Sequence, residues 1–256
     1  MGGRSHWERI LRQARICLLH GWPVIPIPSG RKAPAIKQWT KLRLKKAELE
    51  EAFKPTDNIG VLLGKASNGL VDIDLDTIEA VRAACYFLPV TGRGYGRPSK
   101  PSSHFLYAIK PAPDPVKFSD PDGTVIVELR SNGQQSLIPP SLHPSGERYQ
   151  WERTGEPAAV HGSVLLKAVS QLAACALVAR HWSKKGSRHD LALALAGFLL
   201  RSNWSVDEVK NFVTSAAFAS LTDEEWKLRQ NDVNSTLDRL VKGKPATGIP
   251  SRLLKI

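Results

Sequence analysis

The chain has 256 residues, enough for one large domain or two unequal ones, and its 42% hydrophobic content describes a globular protein and excludes a disordered one. Lysine and arginine outnumber aspartate and glutamate by 36 to 24, a net charge of +12 that lies mostly ahead of Gly186, so the favoured large partner is a polyanion, nucleic acid before a membrane surface. Cys17, Cys85 and Cys175 show no paired spacing, which excludes a zinc ribbon or a disulfide framework and fits a reducing, cytosolic setting. No apolar run approaches the roughly 20 residues of a membrane span, so a soluble protein with no membrane partner is expected.

Ser5 and Glu8 form a capping box, and Trp7, Ile10, Leu11, Ala14 and Leu18 follow at helical spacing until Gly21 stops the helix. The prolines of residues 22–28 suit an edge strand. A loop with two cations at its tip, Arg31 and Lys32, comes next, then a short charged helix over 41–53 and a buried strand over 58–64. Residues 60–67 do not form a phosphate loop: three residues separate the glycines instead of four, and Ala66 stands where a magnesium-binding hydroxyl is needed.

Residues 70–76 read Leu-Val-Asp-Ile-Asp-Leu-Asp, a strand that sends Val71, Ile73 and Leu75 to one face and Asp72, Asp74 and Asp76 to the other. Neighbouring carboxylates repel unless solvent or a cation neutralises them, and oxygen ligands favour Mg²⁺ or Mn²⁺. An exposed edge strand with acids at alternate positions is the competing explanation. A helix over 77–86 and a glycine- and cation-rich loop over 91–103 lead to His104, which opens an apolar strand, Phe105 to Ile109. The loop's Arg93, Arg97 and Lys100 suit phosphates. A Pro/Asp-rich turn precedes a strand over 124–130 bearing Glu128 beside Arg130, and a rigid Pro139-Pro140-Ser141-Leu142-His143-Pro144 loop follows. From Ser163 the pattern is helical: an alanine-rich helix to Trp182, then helices from Arg188, from a capping box at Ser205 and Glu208, and from a box at Thr222 and Glu225.

In this order, Asp72-x-Asp74, Ser103-His104, Glu128, the proline loop and the upstream Gly30-x-Lys32-x-Pro34 with Trp39 resemble the bifunctional DNA primase/polymerases of plasmids, phages and prophages, within the archaeo-eukaryotic primase superfamily. The resemblance covers about residues 20 to 155. It implies an α+β fold, with a mixed-sheet catalytic domain over 1–183 that has an RRM-like core plus an αβ subdomain; after a linker at 184–186, the small all-α bundle over 187–256 resembles, less specifically, the helical domain that follows in phage-type primases, a helical prop for the sheet being the alternative.

The implied activity is template-dependent nucleotidyl transfer, making and extending primers on single-stranded DNA from NTPs or dNTPs with two Mg²⁺ or Mn²⁺ ions. Asp72, Asp74 and Glu128 would hold the metal, His104 and Ser103 would contact the nucleotide, and Lys32, Arg130 and His143 would complete the anion site. Arg97, Lys100, Arg188 and His189 would touch template, and Asp76 would be a turn or helix-capping residue before Thr77. Two departures stand out: Glu128 replaces a more usual aspartate, and the lead-in to His104 is longer than in relatives. These 256 residues contain no Walker motif, so the helicase that often follows such domains is expected either as a separate partner or in a longer chain. A DNA-binding module with a vestigial site and a metal-dependent nuclease are the alternative readings.

Overall fold

A computed structural model describes residues 5–247; Gly248 and the rest of the expected helical domain's C-terminal end lie outside the described residues. The strands are β1 (Val24–Ile27), β2 (Asn58–Leu62), β3 (Leu70–Leu75), β4 (Arg93–Arg97), β5 (Lys100–Ala108), β6 (Val116–Ser119), β7 (Val125–Arg130), β8 (Gln135–Leu137), β9 (Gln150–Thr154) and β10 (Ala158–Ala159). The helices are α1 (His6–Leu19), α2 (Leu49–Ala52), α3 (Ile78–Phe87), α4 (Gly162–Arg180), α5 (Arg188–Arg201), α6 (Val206–Ala219) and α7 (Arg229–Val241). The fold is mixed α+β, with two sheets and helices following the sheet region. Contacts divide the chain into two compact units: one holds residues up to Asp76 with Pro89–Ser119 and Gly123–Lys167, the other Thr77–Leu88, Asp120–Asp122 and the chain from Ala168 onward.

In the first unit, the smaller sheet runs β1-β2-β8 and the larger β6-β7-β3-β5-β4-β9, with β10 pairing β5 in parallel. The Ser5/Glu8 capping box forms and starts α1, which buries Ile10, Leu11, Ala14 and Cys17. These side chains share a core with Val24, Ile25 and Ile27 of β1, Ile59 and Val61 of β2, and Tyr95 and Leu106 of the larger sheet. Proline-rich β1 is an edge strand, as its missing N–H donors require. By contrast β3 is central, flanked by β5 and β7, and all six of its residues are buried. Burial of the acids as well as the apolar residues rules out the exposed-edge explanation.

Three stretches differ from expectation. Residues 41–53 do not make one helix: short 3₁₀ turns at Trp39–Lys41 and Lys46–Glu48 precede α2, because Leu42 and Leu44 alternate and lay an extended segment on the core. The glycine-rich loop over 91–103 is mostly a hairpin, β4 returning into β5, so His104 sits inside a strand and not at its start. Gly96 is required there, since a Cβ would lie 2.6 Å from both the Lys100 carbonyl oxygen and the Ser102 nitrogen. The Pro/Asp-rich turn contains β6, an edge strand alternating half-buried Val116 and Phe118 with exposed Lys117 and Ser119.

In the second unit, α5 packs on α6 and α7, and α6 on α3, burying Ala192, Ala196, Phe212, Val213 and Ala216. The Ser205/Glu208 box forms at α6. The Thr222/Glu225 box does not: Asp223 accepts from the Glu225 N–H at 3.1 Å, and α7 begins only at Arg229, after a 3₁₀ turn. Against expectation, α4 is long and apolar enough to cross a membrane by length and composition, at 19 residues and a mean hydropathy of 1.7. Its buried Leu165, Val169, Leu172, Ala176 and Ala179 recur every three or four residues, the stripe of a core helix.

Asp223 anchors the second unit. Its side chain, 0% exposed, accepts from Arg229 Nε at 2.8 Å and Nη2 at 3.0 Å, and from the Trp182 indole at 3.1 Å. Burial alone would raise its pKa, but the bonds from Arg229 and Trp182 outweigh that and lower it. A lowered carboxylate pKa stabilises the fold above its unfolded value of about 3.9, and the stabilisation is lost as pH falls through the folded value. Arg229→Ala, which leaves Asp223 buried without its charge partner, is expected to destabilise the protein by about 3 kcal/mol at neutral pH, read by urea denaturation, with the difference from wild type shrinking below about pH 4.

Candidate active site

The larger sheet sets one row of residues directly opposite one another across six strands. Lys117 on β6 faces Glu128 on β7, Glu128 faces Asp74 on β3, Asp74 faces His104 on β5, His104 faces Tyr95 on β4, and Tyr95 faces Trp151 on β9. Directly opposed residues share a face and lie within side-chain reach, so this register alone puts two acids, a histidine and a lysine in one line. Val71, Ile73 and Leu75 occupy the opposite, apolar face, as their alternation predicts.

Carboxylate oxygens of Asp74, Asp76 and Glu128 lie within 4.8 Å of one another. The sequence groups Asp72 with Asp74 and Glu128 and gives Asp76 a turn or capping role; the structure instead brings Asp76 beside Asp74 and Glu128 and sets Asp72 apart. Asp76 belongs to the cluster as its most open member, and the cap of α3 is Thr77, whose hydroxyl accepts from the Ala80 N–H. Asp72 is 0% exposed and points into the protein: its Oδ2 accepts from Ser136 Oγ at 2.5 Å, His104 Nδ1 at 3.0 Å and the Tyr95 hydroxyl at 3.4 Å.

Cations surround the cluster. Arg130 bridges Asp74 at 2.9 Å and Glu128 at 2.8 Å, Lys117 reaches Glu128 at 2.8 Å, and Lys100 lies 3.6 Å from Asp76. Burial opposes the charge on Glu128, but Lys117 and Arg130 hold its pKa below the usual range. Asp76 moves the other way, raised by burial and by the charge of Asp74. Burial also opposes a charged His104, yet the Asp74 and Asp72 carboxylates outweigh it and raise the imidazole's pKa. The ring stacks on Tyr95 with centroids 4.3 Å apart and planes 5° from parallel, and meets the edge of Tyr149.

Beside the acids opens a cavity of about 280 Å³ lined by Lys32, Pro34, Trp39, Glu128, Arg130 and Gln135. It brings the early Lys32 loop to the strand that carries Glu128, and Gln135 fixes the loop by donating to the Lys32 carbonyl at 2.7 Å. His143 has its pKa lowered by burial and then by the charges of Lys32, Arg97 and Lys100, which favours its neutral form. Arg97 is also tied to Glu147. Ser103 is not part of this face: it precedes His104 on β5, so its buried side chain lies on the other side of the strand. Arg188 and His189 belong to the second unit, paired there with Glu224 at 2.5 Å and Asp232 at 2.9 Å.

Tyr95, Lys117 and Ser136 have no role in the sequence expectation, and Asp76 has only a capping one. The Asp-x-Asp-x-Asp run contains two overlapping pairs, and alternation does not choose between them. Lys117 was hidden in a segment whose prolines and aspartates read as a turn.

Three hard oxygen donors converging from adjacent strands fit a divalent cation such as Mg²⁺ or Mn²⁺. Compared with curated proteins, the chain has no match. The family described as bifunctional DNA primase/polymerase, N-terminal, matches residues 14–161, a span that contains the whole cross-strand row, the Lys32 loop and the proline loop. On that match, which covers more than half of its length, the chain belongs to the bifunctional DNA primase/polymerase (Prim-Pol) family.

Proposed function

We propose that this protein synthesises primers on single-stranded DNA and extends them by template-dependent nucleotidyl transfer, in the replication of a plasmid, phage or other mobile element. The family implies primase/polymerase chemistry and divalent-metal dependence. The observation that carries the finer reading is the convergence of Asp74, Asp76 and Glu128 beside a cavity lined by Lys32 and Arg130.

Asp74, Asp76 and Glu128 would hold the ions, Mg²⁺ or Mn²⁺. When bound, two such ions neutralise charge on the transferred phosphoryl group and align the attacking and leaving oxygens. The protein's own groups do the rest. Lys32 and Arg130 place positive charge where a triphosphate would lie, Arg130 as a planar fork able to make paired hydrogen bonds and Lys32 as a point charge. His104 presents Nε2 to the acidic cluster, 3.6 Å from Asp74 Oδ1, and its raised pKa favours the form that donates to a phosphate oxygen. Trp39 supplies an aromatic wall in the same cavity, suited to a base or sugar. Arg97 and Lys100 would meet the template backbone, a contact that is sequence-insensitive and weakened by salt, and His143, beside them and favoured in its neutral form, would hydrogen-bond at the anion site. We take residues 1–183 as the catalytic domain and 187–256 as a helical domain joined by 184–186, with Arg188 and His189 as its template contacts.

The test is labelled primer synthesis on a single-stranded template with Mg²⁺ or Mn²⁺, run with NTPs and dNTPs separately. Asp74→Asn/Asp76→Asn is expected to lose incorporation by at least about 10³-fold while keeping the fold, as measured by the primer assay and circular dichroism. Residual synthesis near the wild-type rate would refute the assignment, and salt-sensitive DNA binding without any incorporation would mark a binding module instead. Lys32→Ala is expected to raise the nucleotide KM about tenfold with a much smaller change in kcat, since it removes a charge-assisted contact to the nucleotide; steady-state kinetics distinguish the two parameters.

A further inference from the structure

Asp72 shares a face with the acidic cluster yet is closed off from it. A carboxylate buried without partners is strongly unfavourable, so its surroundings indicate what it is kept for. Three donors converge on one oxygen, Oδ2: Ser136 Oγ at 2.5 Å, His104 Nδ1 at 3.0 Å and the Tyr95 hydroxyl at 3.4 Å. The other oxygen, Oδ1, is buried with no hydrogen-bond partner among the described residues. A neutral side chain would avoid both the buried charge and the orphaned atom. The carboxylate's distinctive contribution is an anionic acceptor for one nitrogen of His104.

His104 is held on several sides. Tyr95 stacks on its face, Tyr149 meets it edge-on with centroids 5.7 Å apart, and Asp72 takes Nδ1. Only Nε2 remains, and it faces the cluster, 3.6 Å from Asp74 Oδ1. The two ring nitrogens therefore have different jobs: the one bound to a carboxylate sets the ring's orientation, and the other is presented to the site. Ser136 steadies the arrangement from β8, in the smaller sheet.

We propose that Asp72 is a positioning residue for His104 and not a metal ligand: it fixes the imidazole with Nδ1–H donating inward, so that Nε2 addresses the phosphates of the incoming nucleotide. This rests on the nucleotidyl-transfer reading of the site. The tests are Asp72→Asn, His104→Ala and the double variant in the full chain, with calorimetric titration of Mn²⁺ alone, equilibrium binding of a fluorescent nucleotide, primer-extension kinetics, and ¹⁵N NMR of the histidine rings. In Asp72→Asn, Mn²⁺ affinity stays within twofold of wild type, the nucleotide Kd and KM rise about tenfold, and the His104 ring signals shift. Once His104 is alanine, Asp72→Asn adds less than a twofold further effect.

A loss of Mn²⁺ affinity in Asp72→Asn matching that in Asp74→Asn would make Asp72 a ligand and overturn the proposal. Full additivity with His104→Ala, or unchanged nucleotide binding, would also overturn it. Should Asp72→Asn fail to fold, Ser136→Ala removes one of the three donors and is expected to raise the nucleotide Kd about threefold in wild type and not in His104→Ala; absence of that pattern counts against the proposal. Wild-type protein that binds nucleotide but incorporates none would refute the polymerase reading alone, because the binding and NMR measurements still report on Asp72 and His104.

Discussion

The pairing of β3 with β5 on one side and β7 on the other is the constraint on which the rest of the site depends. Asp74 is opposed by His104 across one ladder and by Glu128 across the other, so a slip of one residue in either would send a reactive side chain into the apolar face. Val71, Ile73 and Leu75 prevent that slip, since moving them would put large apolar groups among charges. The hydrophobic pattern thus sets the chemistry's geometry without any of its residues taking part.

Charge compensation is the second organising principle. Four acidic side chains, Asp72, Asp74, Asp76 and Glu128, crowd a small region, and each has a basic group close by: His104, Arg130, Lys100 and Lys117 respectively. Position divides the acids into two roles. Asp76 and Glu128 retain contact with solvent, and Asp74 sits between them, whereas Asp72 is fully enclosed and satisfied from within. Carboxylates of similar appearance in the sequence thus separate into an open cluster and one enclosed group.

Much of this was legible in the sequence where the signals are local. Capping boxes at Ser5 and Ser205 mark the starts of α1 and α6, prolines demote β1 to an edge, and the order of acids, histidine and proline loop points to the family. The choice between Asp72/Asp74 and Asp74/Asp76 was not legible, because alternation has a period of two and a shift by two residues leaves every acid on its face. Only the cross-strand partner of Asp74 and the burial of Asp72 separate the pairs. The β4 hairpin was hidden for another reason: Gly94 and Gly96 sit there because a neighbouring backbone approaches closely, and composition alone reads such glycines as loop. Long-range partners such as Ser136 and Asp72, 64 positions apart, leave no mark on local pattern.

The cross-strand row also governs how the protein is made. Its six residues are contributed in the order 74, 95, 104, 117, 128 and 151, and the strand bearing Asp74 at the centre is synthesised before any of its neighbours. During translation the acidic strand therefore waits without pairing partners, and the row is complete only when Trp151 has left the ribosome. Pairings of such sequence separation are slow to form, and the unpaired interval exposes Val71, Ile73 and Leu75. The aspartates between them then act as gatekeepers, keeping a strand of otherwise aggregation-prone residues in solution until β7 and β5 arrive.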